Sequence, residues 1–137
     1  MGITYANIRI QNGGEVEDFR RGKIGEDEIR EITVSAMVDT GSIMLCINEE
    51  IRDALGLTIV GERNSVLANG QRLKFPITNN VVVWYEDRWC STSALVLPDD
   101  SEPLLGAIPL EEMDLFVHPA RQQLMPMHPD GPVMILK

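Results

Sequence analysis

Four consecutive residues, Asp39-Thr40-Gly41-Ser42, set a carboxylate and two hydroxyls around a glycine, directly after apolar Ala36-Met37-Val38 and directly before apolar Ile43-Met44-Leu45. Turn formation explains part of this pattern, because aspartate and glycine favour turns and aspartate accepts hydrogen bonds from its own following backbone. It does not explain the flanks. A carboxylate between two apolar strands is costly unless it is paired, hydrogen-bonded or protonated, and such placements concentrate where a group does chemistry. At average residue usage, Asp-Thr-Gly followed by Ser or Ala arises by chance in roughly one chain of this length in a few hundred. The chemistry open to such a carboxyl is proton transfer, to or from a water or a carbonyl.

Other candidate groups point elsewhere. Cys46 and Cys90 form no Cys-x-x-Cys pair and have only His118 and His128 as potential company for a metal, so they read as small buried apolar residues and no metal site is expected. The two histidines lie in proline-rich loop sequence and read as solvated. Trp84, Tyr85 and Trp89 fit hairpin and core packing better than a ligand-stacking patch. Met113, Met125, Met127 and Met134 read as fillers of core or interface gaps. A net charge of −9 would repel a phosphate backbone, which argues against nucleic acid as a partner. No apolar run approaches the ~20 residues of a membrane helix, and the start Met1-Gly2-Ile3-Thr4-Tyr5 lacks a secretory pattern. A cytoplasmic protein with no membrane partner is expected.

The 137 residues suit one domain, 1–137. Tyr5–Ile10 and Ile32–Val38 read as strands, and the charged stretch 12–31 between them, opening on Asn12-Gly13-Gly14, reads as a long hairpin connection or surface excursion. Asn48 as N-cap, acidic Glu49 and Glu50, Ile51 and Leu55 four apart, and Gly56 as terminator predict a short helix. Strands follow at Ser65–Leu67 and Arg72–Phe75 around Asn69-Gly70, then at Val81–Tyr85 and Trp89–Leu97 around Glu86-Asp87. Apolar Leu104-Leu105-Gly106-Ala107-Ile108 leads to a helical segment near Pro109. The apolar end Val133-Met134-Ile135-Leu136 belongs either in the core or on a partner's sheet. The pattern predicts a mostly β domain, antiparallel in the main, with one or two short helices.

In this order the motifs resemble those of the retropepsin-like aspartic proteases, in their bacterial and cellular branch: Asp39-Thr40-Gly41-Ser42 after a strand, a hairpin with Asn69-Gly70 at the flap position, and Leu104-Leu105-Gly106 at the apolar-apolar-glycine position. The resemblance covers most of the chain. It implies a closed, antiparallel, barrel-like acid-protease fold with no cofactor. Asp39 would be the catalytic carboxylate, Thr40 would tie two active-site loops together, Gly41 would let the backbone pass closely, and Ser42 would hydrogen-bond Asp39 from outside. Asn69 and Gly70 would form the flap tip over substrate. Leu104, Leu105 and Gly106 would pack beneath the active-site loop. Unlike viral members, which follow the glycine with Arg and Asp or Asn, this chain continues Ala107-Ile108, and its 12–31 stretch is longer than a compact viral protease carries.

Aspartic proteolysis uses two carboxyls sharing one proton around a water, and this chain holds one Asp-Thr-Gly. The second carboxyl must come from a two-fold mate. The expected activity is that of an aspartic endopeptidase acting as a homodimer on protein or peptide substrates. The alternatives are a catalytically idle peptide-binding or dimerisation module of the same fold, or an unrelated β domain in which the motif is coincidental.

Overall fold

Along Tyr5–Asn12 the side chains of Ala6, Ile8 and Ile10 are buried while Tyr5 and Asn7 face outward, the period of two that makes this segment strand β1. The computed structural model describes residues 2–98 and 100–136. After β1 come helix α1 (Gly13–Arg20), a 3-10 turn (Glu26–Glu28), β2 (Glu31–Val38), β3 (Leu45–Asn48) and helix α2 (Glu49–Leu55). Then follow β4 (Ile59–Val66), β5 (Arg72–Thr78), β6 (Val81–Tyr85), β7 (Arg88–Thr92), β8 (Ala94–Leu97), β9 (Leu104–Leu105), helix α3 (Ala107–Glu112), β10 (Leu115–His118) and β11 (Gln123–Pro126).

The protein is mostly β, with nine strands in one curled, half-barrel sheet of order β4-β5-β8-β3-β9-β2-β1-β6-β7; β10 and β11 form a separate hairpin. Two features of the expected closed, antiparallel barrel are corrected. The order is linear and leaves β4 and β7 as edges, and the pairs β2–β9 and β3–β8 are parallel. The parallel pairing has a local cause. Trp89–Leu97, which reads as one strand, breaks at Ser93, and the Ala94 N–H donates to Thr78 Oγ1 at 3.1 Å. β8 is thereby released from the β6–β7 hairpin to lie between β5 and β3.

The charged stretch after β1 is the long connection of an antiparallel β1–β2 hairpin, and it carries a helix, α1, that the sequence did not announce. Asn12 is the N-cap: its Oδ1 accepts from the Glu15 N–H at 3.1 Å, while its Nδ2 donates to the Leu55 carbonyl at 2.8 Å. One buried side chain thus starts α1 and finishes α2. Arg30 closes the stretch on Glu15 at 2.8 Å, and Val16, Ile29 and Val82 pack together beneath it. With α3 the chain has three short α-helices where one or two were expected. Helix α2 follows its sequence signals: the Ile51 N–H donates to Asn48 Oδ1 at 2.9 Å, and Gly56 ends the helix at φ 63°.

The main core joins both sides of the sheet curl, with Ile8, Ile10, Leu45, Ile47, Leu55, Val81, Val83 and Leu105 all fully buried. Among the described residues no helix is long and apolar enough to cross a membrane. Trp84 is packed, its Nε1 donating to Gln11 Oε1 at 2.8 Å with the Arg9 guanidinium over its ring, and Tyr85 donates to the Leu124 carbonyl at 3.2 Å. Trp89 is half exposed under Arg20. Of the methionines, Met113 is core, whereas Met127 and Met134 are exposed.

Beyond β11 the chain is tied back by Asp114. Its carboxylate lies 2.6 Å from His128 Nδ1 and 3.7 Å from Arg88 Nη1, and buried Arg88 donates to the Met113 carbonyl at 2.9 Å and to the His128 carbonyl. His128, read as solvated, is therefore a partner in this clamp despite its exposure. Val133 to Leu136 follow it, exposed and without regular structure, rather than entering the core, and Val133 to Ile135 lie across a cavity from Ile108, Glu111 and Glu112 of α3.

Burial pushes the Asp114 carboxyl up, but the hydrogen bond and charge of His128, the Val133 N–H and the Arg88 guanidinium together outweigh it and hold the group below the ordinary carboxylate value. A depressed carboxylate stabilises the fold above its unfolded value, and that contribution is lost as pH falls through the folded one. Amide exchange over residues 128–133, corrected for the intrinsic rate, is expected to accelerate as pH drops below ~4, and Asp114→Asn to make it fast throughout. Hydrogen-exchange mass spectrometry across that range reads both, and protection independent of pH would contradict the clamp.

Candidate active site

Asp39 directly follows strand β2, and the residues after it form a turn built on its own side chain. Asp39 Oδ1 accepts from the Gly41 N–H at 3.0 Å and Oδ2 accepts from Ser42 Oγ at 3.0 Å. The Ser42 N–H returns to the Asp39 carbonyl at 3.1 Å. Both carboxylate oxygens are therefore oriented by local donors, and the carboxylate is half-buried rather than sealed between the flanking strands. Thr40, Gly41 and Ile43 are exposed, and among the described residues the Thr40 hydroxyl has no partner. The turn faces outward from a single chain.

This turn is held from below by β9, which threads between the two strands that the Asp39 loop connects. Leu104 and Leu105 run parallel to Met37 and Val38 of β2, while Leu104 also pairs antiparallel with Cys46 of β3. The Asp39 N–H donates to the Leu105 carbonyl at 3.0 Å, and the Ala107 and Ile108 N–H groups donate to the Ser42 and Ile43 carbonyls, each at 2.8 Å. Both limbs of the loop are thus tied to one short segment. Gly106 allows the approach. A Cβ there would lie 2.4 Å from the Met44 carbonyl oxygen and 2.7 Å from that of Ser42, distances that backbone atoms cannot absorb without moving the loop. Leu105 is fully buried and Leu104 partly so.

The β4–β5 hairpin stands across from this loop. At its tip the Gly70 N–H donates to the Leu67 carbonyl at 2.8 Å, Asn69 Oδ1 accepts from the Gln71 N–H at 2.9 Å, and Gly70 takes the left-handed φ of 84°. Between hairpin and loop lies a cleft of about 550 Å³. Gly41, Ser42, Ile43 and Met44 form one wall and Arg63 to Leu67 the other, over a floor of Cys46, Phe75, Leu95, Leu97 and Leu104. Asn69 and Gly70 lie beyond the walls at the exposed hairpin tip. The structure therefore assembles Asp39 to Ser42 with Leu104 to Gly106 in one braced loop, and sets the Asn69-Gly70 hairpin across the cleft from it.

Arg63, Phe75, Leu95 and Leu97 are cleft residues that the sequence reading did not single out. Phe75 and Leu95 are visible in the sequence only as strand residues. Arg63 gives no signal at all, because β4 carries no apolar alternation to tell which of its side chains face inward.

The cysteines are not nucleophiles. Burial, with a smaller push from the Asp39 charge, raises the Cys46 thiol to about 11, and burial with Glu112 raises Cys90 to about 12. Both stay neutral, and Cys46 serves the cleft floor as an apolar surface. Among the described residues no three His, Cys, Asp or Glu side chains converge as a metal site requires. Comparison with protein-family models finds none that matches the chain, and no curated protein matches it.

Gly106→Ala is expected to cost about 2–3 kcal/mol of stability through overpacking, measured by urea denaturation, and to shift the amide resonances of Asp39 to Met44. Gly61→Ala, where an added Cβ meets nothing within 4 Å, should stay within about 0.5 kcal/mol of the parent.

Proposed function

We propose that this chain is a single-domain subunit of a retropepsin-type aspartic endopeptidase, active as a homodimer. The observation that carries the reading is the Asp39 carboxylate, held by the Gly41 N–H and the Ser42 hydroxyl, two residues that line the cleft beside the β4–β5 hairpin, on a loop exposed from the single chain. An isolated turn aspartate has no need of the β9 brace beneath it, nor of a glycine forced by backbone contact at 106. A braced, outward-facing carboxylate suits a role in which it must meet a second one.

In the pair, two Asp39 carboxyls lie across the two-fold axis with a water between them. Two carboxylates ~3 Å apart at an effective dielectric near 20 repel by roughly 5 kcal/mol, so the pair carries one shared proton. Substrate lies extended beneath the two β4–β5 hairpins. The ionised carboxylate takes a proton from the water as its oxygen bonds to the scissile carbonyl carbon, and the protonated carboxyl gives its proton to the carbonyl oxygen. The tetrahedral gem-diol then collapses: one hydroxyl returns its proton to the dyad, the amide nitrogen takes a proton, and the C–N bond breaks. Each turn consumes one water and restores the dyad. The Gly41 and Ser42 donors contribute by keeping Asp39 fixed while its charge changes.

A capped-peptide library at mildly acidic pH is expected to be cleaved, with the rate rising as the square of chain concentration at high dilution and falling as pH rises and the shared proton is lost. Asp39→Asn should reduce the rate at least about a thousandfold. Peptide binding without hydrolysis would instead identify a catalytically idle peptide-binding module.

A further inference from the structure

The cleft pairs an apolar floor with a single charge. Arg63 is the one charged residue among those lining it. Its register fixes which way it points. Arg63 lies directly opposite Phe75 across the β4–β5 hairpin, and residues opposite one another share a face of the sheet. Phe75 is buried in the cluster of Cys46, Ile77 and Leu95, so Arg63 leaves the hairpin on the face that looks into the cleft. Arg9, Arg30, Arg52 and Arg88 each have a carboxylate within 4.0 Å. Arg63, among the described residues, has no carboxylate within that distance, Asp39 included. In a chain of 21 acidic and 12 basic residues, this guanidinium stands beside an apolar surface with its donors open to a ligand.

We propose that Arg63 selects the substrate: the peptide carries an acidic side chain close to a bulky apolar residue that fills the Phe75–Leu95 floor. This rests on reading the cleft as the substrate site of a paired peptidase. An arginine presents a planar fork that a carboxylate meets with two parallel hydrogen bonds, and the apolar floor beside it offers a seat to the neighbouring side chain of the same peptide. The two-fold axis repeats the arrangement, so an acidic side chain is favoured on both sides of the bond that is cut. The rest of the acidic surface repels such peptides at long range, which makes Arg63 the element that separates the right acidic sequence from acidic sequences in general.

The test uses fluorescent peptides, acetylated and amidated so that only side chains supply carboxylate, with Glu or Gln placed in turn at each position flanking a central apolar pair. Binding is measured by anisotropy on the Asp39→Asn protein and cleavage on the parent. At one or more positions Glu is expected to bind about five- to tenfold more tightly than Gln, with the difference shrinking in about 0.5 M salt. It should vanish in Arg63→Gln and turn to a preference for Lys in Arg63→Glu. Equal binding of Glu and Gln at every position, or a preference that survives Arg63→Gln, overturns the assignment. Preference in binding with no cleavage by the parent overturns the peptidase reading and leaves Arg63 as the selector of a binding site. No binding of any peptide overturns both.

Discussion

The rest of the site depends on the close passage of Gly106 beneath the Asp39 loop. A two-residue strand, Leu104–Leu105, enters between β2 and β3, and the chain leaves it by laying the 106–108 backbone against the 42–44 carbonyls. A loop that exposes Thr40, Gly41 and Ile43 to solvent would ordinarily be among the least ordered parts of a fold. Here three backbone hydrogen bonds, from the N–H groups of Asp39, Ala107 and Ile108, anchor it to buried Leu105 and the start of α3. Order comes from beneath while the outer face stays open.

That division lets one chain be well folded while leaving the Asp39 turn uncovered. The core closes without the Asp39 loop's outer face, since Leu45, Ile47 and Leu105 are satisfied within the chain. The outer face holds a carboxylate with oriented local donors, a threonine hydroxyl with no partner among the described residues, and an exposed isoleucine. These are groups that a symmetric mate would cover, and the proposed dyad needs that mate for charge as well as shape. The cleft belongs to the same design: its walls are the braced loop and the β4–β5 hairpin, and its floor is a satellite core distinct from the main one.

Much of this was legible in the sequence where signals are local. Helix α2 follows from Asn48 and Gly56, the β4–β5 and β6–β7 hairpins from their turn residues, and the Asp39 loop from a polar tetrapeptide between apolar runs. Failures arose where one residue does two jobs or where partners are distant. Asn12-Gly13-Gly14 opens a stretch that reads as a hairpin connection or surface excursion with no helix in it, yet Asn12 caps α1 because its other amide end is fixed by Leu55, forty-three residues on. The break at Ser93 depends on the Thr78 hydroxyl, and no periodicity in Trp89–Leu97 announces it. The parallel pairs could not be read for the same reason. Arg63 became visible only through its register with Phe75.

The central claim is that two copies of one braced carboxylate make one site. Native mass spectrometry with a statine-type transition-state mimic measures this most directly, because it counts chains and inhibitors in the same particle. One inhibitor per two chains is expected, lost in Asp39→Asn. One inhibitor per single chain, or binding that ignores the Asp39 substitution, would contradict it.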